Sequence, residues 1–138
     1  LKLKHKDIKQ DSIEIIEQKT KKRRNLTINE NIKKGYNEYI KMLDKYSDDD
    51  FLFMSQKKSV FTIRQINRLL KNEFSQKGKN VSSHSLRKTF GRRVWDNDNN
   101  SERALIMLSK IFSHSSVAIT RIYLGIQQEE IDEIYLTL

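Results

Sequence analysis

A chain of 138 residues with no cysteine and a formal charge of +9 excludes several classes of protein. It is long enough for one domain that buries roughly two thirds of its unfolded surface, so it needs no disulfide staples, and no thiolate metal site is possible. No apolar run approaches the ~20 residues of a membrane span, and no secretory leader is visible.

The charge is uneven. Lysine and arginine crowd the first 24 residues, whereas Gln127 to Leu138 carries four acids and no base. With a pI near 9.7, this favours a polyanionic partner over charge that serves solubility alone. The opening Leu1-Lys2-Leu3-Lys4 begins mid-pattern and without methionine, as expected for a piece of something longer.

In chain order, Ser12–Ile16 alternates and is rich in β-branched residues, and Asn25–Ile28 does much the same. With the basic stretch between them, they predict a β-hairpin over about 9–28 with a positively charged tip that includes Lys21, Lys22, Arg23 and Arg24. Asn29 is placed to cap a helix whose apolar stripe is Ile32, Tyr36, Tyr39, Ile40 and Leu43. Thr62 can cap a second helix, with Ile63, Ile66, Leu70 and Phe74 on one face and Gly78 near its end. Ser82 or Ser83 starts a third, running to about Asp96, with Leu86, Phe90 and Val94 as its buried stripe. His84, Arg87 and Gly91 fall on an adjacent stripe at spacing i, i+3, i+7. Glycine in mid-helix costs about 1 kcal/mol relative to alanine, so a close approach is expected there. Ser101 can cap a fourth helix with Ala104, Leu105, Leu108, Ile111 and Phe112 inside. His114 sits just past its end. Ser115 or Ser116 then starts a short helix holding Thr120 and Tyr123, which Gly125 ends. A last amphipathic segment follows over about 127–138. The fold class is mainly α with a small antiparallel β-hairpin, in a single domain with a helical core over about 30–125.

His84, Arg87, His114 and Tyr123 are residue types suited to work on a phosphodiester. Attack by an oxygen nucleophile builds negative charge on the non-bridging oxygens, and the leaving oxygen needs a proton. A guanidinium offers a planar fork to two phosphate oxygens. Histidines titrate near neutrality and can donate hydrogen bonds or move protons. A tyrosine, with a reference pKa near 10, becomes a good nucleophile only beside cations or a base. Metal is not expected, because the acids do not cluster with the histidines.

His84-x-x-Arg87, then His114, then Tyr123 nine residues on, with Leu86, Thr89 and Phe90 between, resembles the catalytic core of the tyrosine recombinase (phage integrase) family. The resemblance spans essentially the whole chain. It implies a tyrosine recombinase catalytic-core fold and a site-specific DNA recombinase. Tyr123 is then the nucleophile, Arg87 the phosphate clamp, His84 the acid/base and His114 a hydrogen-bond donor to the phosphate. Lys19 occupies the place of the family's β-hairpin lysine and is implied as general acid. Lys21, Lys22, Arg23, Arg24, Lys88 and Arg121 are the expected DNA contacts. The implied reaction needs no metal or cofactor, since a 3′-phosphotyrosyl link conserves the phosphodiester energy. The implied partners are double-stranded DNA carrying a specific site and further copies of the chain, a tetramer on DNA joined through the C-terminal segment. A bacterial cytoplasmic location on the nucleoid is expected.

The sequence departs from the family pattern in several places. The family's first arginine would lie before Leu1, where Leu3–Ile8 resembles the segment just after it, so this piece alone is expected to be impaired. The family's N-terminal DNA-clamping domain is not in the sequence. Lys88 stands where a histidine is common, and Phe112-Ser113-His114 where Leu-Gly-His is usual. Two other readings fit the residues: a non-catalytic DNA-binding module in which Tyr123 only packs, and a type IB topoisomerase-like DNA-relaxing enzyme.

Overall fold

The computed structural model describes residues 2–16, 21, 23–75 and 80–137. It comprises two compact units, Leu1–Thr62 and Ile63–Leu138.

In the first unit a short helix α1 (His5–Ile8) precedes strands β1 (Ser12–Ile16) and β2 (Arg23–Thr27) and helix α2 (Glu30–Ile40). The strands pair antiparallel from Ser12 opposite Thr27 to Ile16 opposite Arg23, as the alternation predicts. Ile13 therefore points into a core with Ile8, Ile28, Tyr36 and Leu52. Asn29 caps α2 by accepting from the Ile32 N–H at 2.9 Å. The sequence signalled no α1. It is held by non-local bonds: its first two N–H groups donate to the Asp50 and Asp48 carbonyls at 3.1 and 3.0 Å, and Leu52 N–H donates to the Leu3 carbonyl at 2.7 Å. His5 is buried, with Nδ1 3.1 Å from the Tyr36 hydroxyl. The lysines of this segment are drawn to the Asp48–Asp49 loop, Lys6 to Asp49 at 2.7 Å and Lys9 to Asp48 at 2.5 Å. Both pairs are solvent-exposed and contribute little to stability.

The second unit is all helix: α3 (Ile63–Phe74), α4 (Ser83–Asn97), α5 (Glu102–Phe112), α6 (Val117–Leu124) and α7 (Ile126–Leu136). Its core is Leu105, Leu108, Phe112, Leu124 and Ile126, with Val94, Trp95, Val117 and Tyr123 packed against it. The caps fall where the sequence put them. Ser101 Oγ accepts from Ala104 N–H and Ser116 Oγ from Ile119 N–H, and Gly125 ends α6 at φ +82°. Of the α3 stripe, Ile66 and Leu70 are half-buried, while Ile63 and Phe74 at the two ends are exposed. Asn67 between them accepts from Ser83 N–H at 2.9 Å and ties α3 to the start of α4. The expected helix end at Gly78 lies outside the described residues.

Of the expected inward stripe of α4, Val94 is half-buried and packs against the core. Leu86 and Phe90 are instead 53% and 47% exposed, whereas Gly91 is buried. A methyl group at Gly91 would stand 2.7 Å from Leu124 Cδ2 and 3.0 Å from the Phe112 ring. With no side chain at 91, α5 and α6 approach on that side, and the inward face of α4 runs through Gly91 and Val94 while Arg87 stays exposed at its edge. Ile111, expected inside α5, is likewise 43% exposed, because the core takes the Leu105–Leu108–Phe112 face.

Candidate active site

Within the second unit, three of the four signature residues meet around Phe112, the last residue of α5. Arg87, one turn into α4, donates from Nη2 to the Phe112 carbonyl at 3.1 Å. Its guanidinium carbon lies over the Phe112 ring, 4.4 Å from the centroid, a cation–π contact of the kind arginine makes most often. The rings of His114 and Tyr123 lie 5.4 and 5.5 Å from the same ring. His114 and Tyr123 meet each other edge to face at 5.3 Å. The fourth residue, His84, joins through its backbone: its carbonyl accepts from the Tyr123 hydroxyl at 3.3 Å.

The turn that brings His114 in is made by Ser113, in the left-handed conformation at φ 53°, ψ 38°. The serine therefore keeps the left-handed turn for which glycine is the usual residue. His114 N–H then donates to the Ser109 carbonyl at 3.0 Å, and His114 Nδ1 lies 3.0 Å from Thr120 Oγ1. Burial, and secondarily the Arg87 charge, hold the His114 pKa below its ordinary value. At neutral pH the imidazole is therefore uncharged, and a neutral ring donates from one nitrogen only.

Lys88 reaches the α6–α7 junction, where a Cβ at Gly125 would stand 3.4 Å from its Nζ. An ammonium there suits the C-terminal end of α6. Arg121 is engaged with Glu102 at 3.2 Å and also with Glu130, so it braces α6 to α5 and α7. In the first unit, Lys21 is exposed and Arg24 half-buried, and Arg23 pairs with Glu14 at 3.4 Å. Lys19 and Lys22 lie outside the described residues. Among the described residues no three His, Asp or Glu side chains gather as around a metal ion, and no helix is long and apolar enough to cross a membrane. Two contributors went unassigned in the sequence. Phe112 reads there only as a core residue, and Thr120 carries only the faint signal of a hydroxyl one turn before Tyr123.

The profile of the Phage integrase family matches residues 1–130. The chain belongs to that family. A relative named "Probable integrase/recombinase YoeC" from Bacillus subtilis (strain 168) is 32% identical over 94% of this chain and 69% of its own length. "Tyrosine recombinase XerC" from Caldanaerobacter subterraneus subsp. tengcongensis is 29% identical over 92% of this chain. The chain spans only 36% of that relative. Among solved structures, XerA recombinase superposes with a TM-score of 0.66 and 26% identity, over 99% of this chain and 50% of its own. The fold is thus that of a tyrosine recombinase, mostly helical with one two-stranded antiparallel sheet. Membership in this integrase family places the chain in the recombinase class of enzymes.

Proposed function

We propose that this chain carries the catalytic centre of a site-specific DNA recombinase that cuts and rejoins strands through Tyr123. The observation that supports this reading is the convergence of Arg87, His114 and Tyr123 on Phe112, with the Tyr123 hydroxyl at the head of α4. A purely structural set of polar residues has no reason to gather on one aromatic ring at a helix end.

In the proposed reaction the Tyr123 oxygen attacks the phosphorus and gives its proton to His84. The bond from phosphorus to the 5′ oxygen breaks, and Lys19 protonates that oxygen. Arg87 and His114 donate to the non-bridging oxygens, where preorganised donors act most strongly. A 5′-hydroxyl from a partner strand then gives its proton to Lys19 and attacks the phosphorus, the bond from phosphorus to the tyrosyl oxygen breaks, and His84 returns a proton to Tyr123. No bond energy is lost between the two steps, so no nucleotide is consumed. Lys21, Lys22, Arg23, Arg24 and Lys88 are the proposed phosphate contacts. For Arg121, the pairing with Glu102 and Glu130 supports a bracing role in α6 over a direct phosphate contact.

On DNA the working form is proposed to be a tetramer joined through the C-terminal segment. The exposure of Ile134 and Tyr135, 61% and 75%, supports α7 as the joining element.

The test is covalent capture. The chain joined to its upstream segment is offered nicked duplexes built from DNA flanking its gene, and adducts are sought by mass spectrometry. An adduct on Tyr123, lost in Tyr123→Phe and reduced in Arg87→Ala, is the expected result. Salt-dependent binding with no adduct on sites that support recombination would instead make this a DNA-binding module. Relaxation of supercoils at no particular site would make it a topoisomerase.

A further inference from the structure

Thr120 stands out among the residues that the proposed chemistry does not use. It is fully buried, at 0% exposure, in a position where valine would fill the same volume without a polar atom. A hydroxyl there costs free energy unless it has a partner, and the partner is His114 Nδ1 at 3.0 Å. The rest of His114 is equally constrained. Its N–H donates to the Ser109 carbonyl, its own carbonyl accepts from Ser109 Oγ, and its ring is flanked by Phe112 and Tyr123.

We propose that Thr120 is a positioning residue for His114: its hydroxyl donates to Nδ1, fixes the neutral ring with its proton on Nε2, and so keeps Nε2–H as a donor for the scissile phosphate. This rests on the reading of the site as a recombinase centre. The chemical need is specific. A neutral imidazole donates from Nε2 only while Nδ1 carries the lone pair, and a lone pair turned into a packed interior needs a donor of its own. A threonine hydroxyl rotates to supply it. Burial and the Arg87 charge both oppose protonation of the ring, so the neutral form is the one to be kept competent at neutral pH. Without the hydroxyl, the ring donates reliably only when it is protonated.

The first measurement needs no activity. Long-range ¹H–¹⁵N spectra of the ¹⁵N-histidine-labelled chain report the tautomer of each of its three histidines, with His114 assigned through His114→Gln. The expected result is a neutral His114 locked with its proton on Nε2, and signals averaged between tautomers in Thr120→Val. A His114 proton on Nδ1 in the unmutated chain overturns the proposal, whatever the recombinase assay gives. The second measurement is the pH profile of Tyr123 adduct formation in the chain joined to its upstream segment. Thr120→Val should lose roughly tenfold at neutral pH, about the worth of one neutral hydrogen bond, and recover as the pH falls. Thr120→Ser should stay near the parent rate. A Thr120→Val profile identical to the parent's, or a loss equal at every pH that Thr120→Ser shares, overturns the proposal. Failure of the parent chain to form any adduct counts against the recombinase reading and leaves the tautomer result to decide the role of Thr120.

Discussion

Gly91→Ala tests how the fold holds the site. Position 91 lies mid-helix in α4, where alanine is favoured over glycine by about 1 kcal/mol. Local propensity alone therefore predicts a more stable protein. The packing predicts otherwise. The new methyl would sit 2.7 Å from Leu124 Cδ2 and 3.0 Å from two atoms of the Phe112 ring. Neither neighbour is free to swing away, since Leu124 and Phe112 are both buried core residues. Overpacking of this kind costs about 1–3 kcal/mol, which leaves a net destabilisation of about 0–2 kcal/mol once the helix gain is counted. The larger effect should be on chemistry. Phe112 carries Arg87 on its ring and carbonyl and packs against Tyr123, so pushing it moves both. Misplacement by about 1 Å can cost on the order of 100-fold in rate. Urea melts and the rate of Tyr123 adduct formation read the two effects separately. Gly35→Ala in α2 is the control, because nothing lies within 4 Å of a Cβ there. It should stabilise by up to about 1 kcal/mol. If Gly91→Ala also stabilises and leaves the adduct rate unchanged, the close approach is not what orders the site.

Three further expectations follow from the same unit. Leu108, fully buried in the core, should cost about 2–5 kcal/mol in denaturant melts when replaced by alanine. Ser113→Gly relieves a left-handed serine and should raise the melting midpoint by up to about 1 kcal/mol in stability, with His114 still in place by NMR. His114, whose folded pKa lies below the ordinary histidine value, binds its proton less readily folded than unfolded. Its contribution to stability is therefore full above pH ~6.5 and is lost as pH falls through the folded pKa. Melts of the parent against His114→Gln between neutral and mildly acidic pH should converge as the solution is acidified, and parallel curves would refute the burial argument.

The local signals of the sequence were reliable where the physics is local. Asn29, Ser101 and Ser116 each satisfy orphan N–H groups of their own first turn, and Gly125 supplies the left-handed residue that ends α6. Such bonds span three or four residues and can be read from a string. The spacing of His84, Arg87, His114 and Tyr123 was legible for the same reason, since three of them lie at a definite phase of a helix whose ends are marked and His114 follows directly on the marked end of α5. Helix α1 was not legible, because its first N–H groups are satisfied by carbonyls of Asp48 and Asp50, more than forty residues away.

The sequence by itself determined the order of the elements after α1, the caps at Asn29, Ser101, Ser116 and Gly125, the basic character of the hairpin and the four residue types placed for phosphodiester chemistry. Only the tertiary structure decided which side of α4 faces inward. Hydrophobic periodicity counts glycine as neutral, so Leu86 and Phe90, both exposed, look like part of the core stripe beside Val94, which does pack inward. In the folded chain the missing side chain at Gly91 is what allows Leu124 and Phe112 to approach. That approach turns Arg87 onto Phe112 and sets His114 between Tyr123 and Thr120. A pattern of apolar residues records what each position contributes, whereas packing depends on the space each position leaves for others.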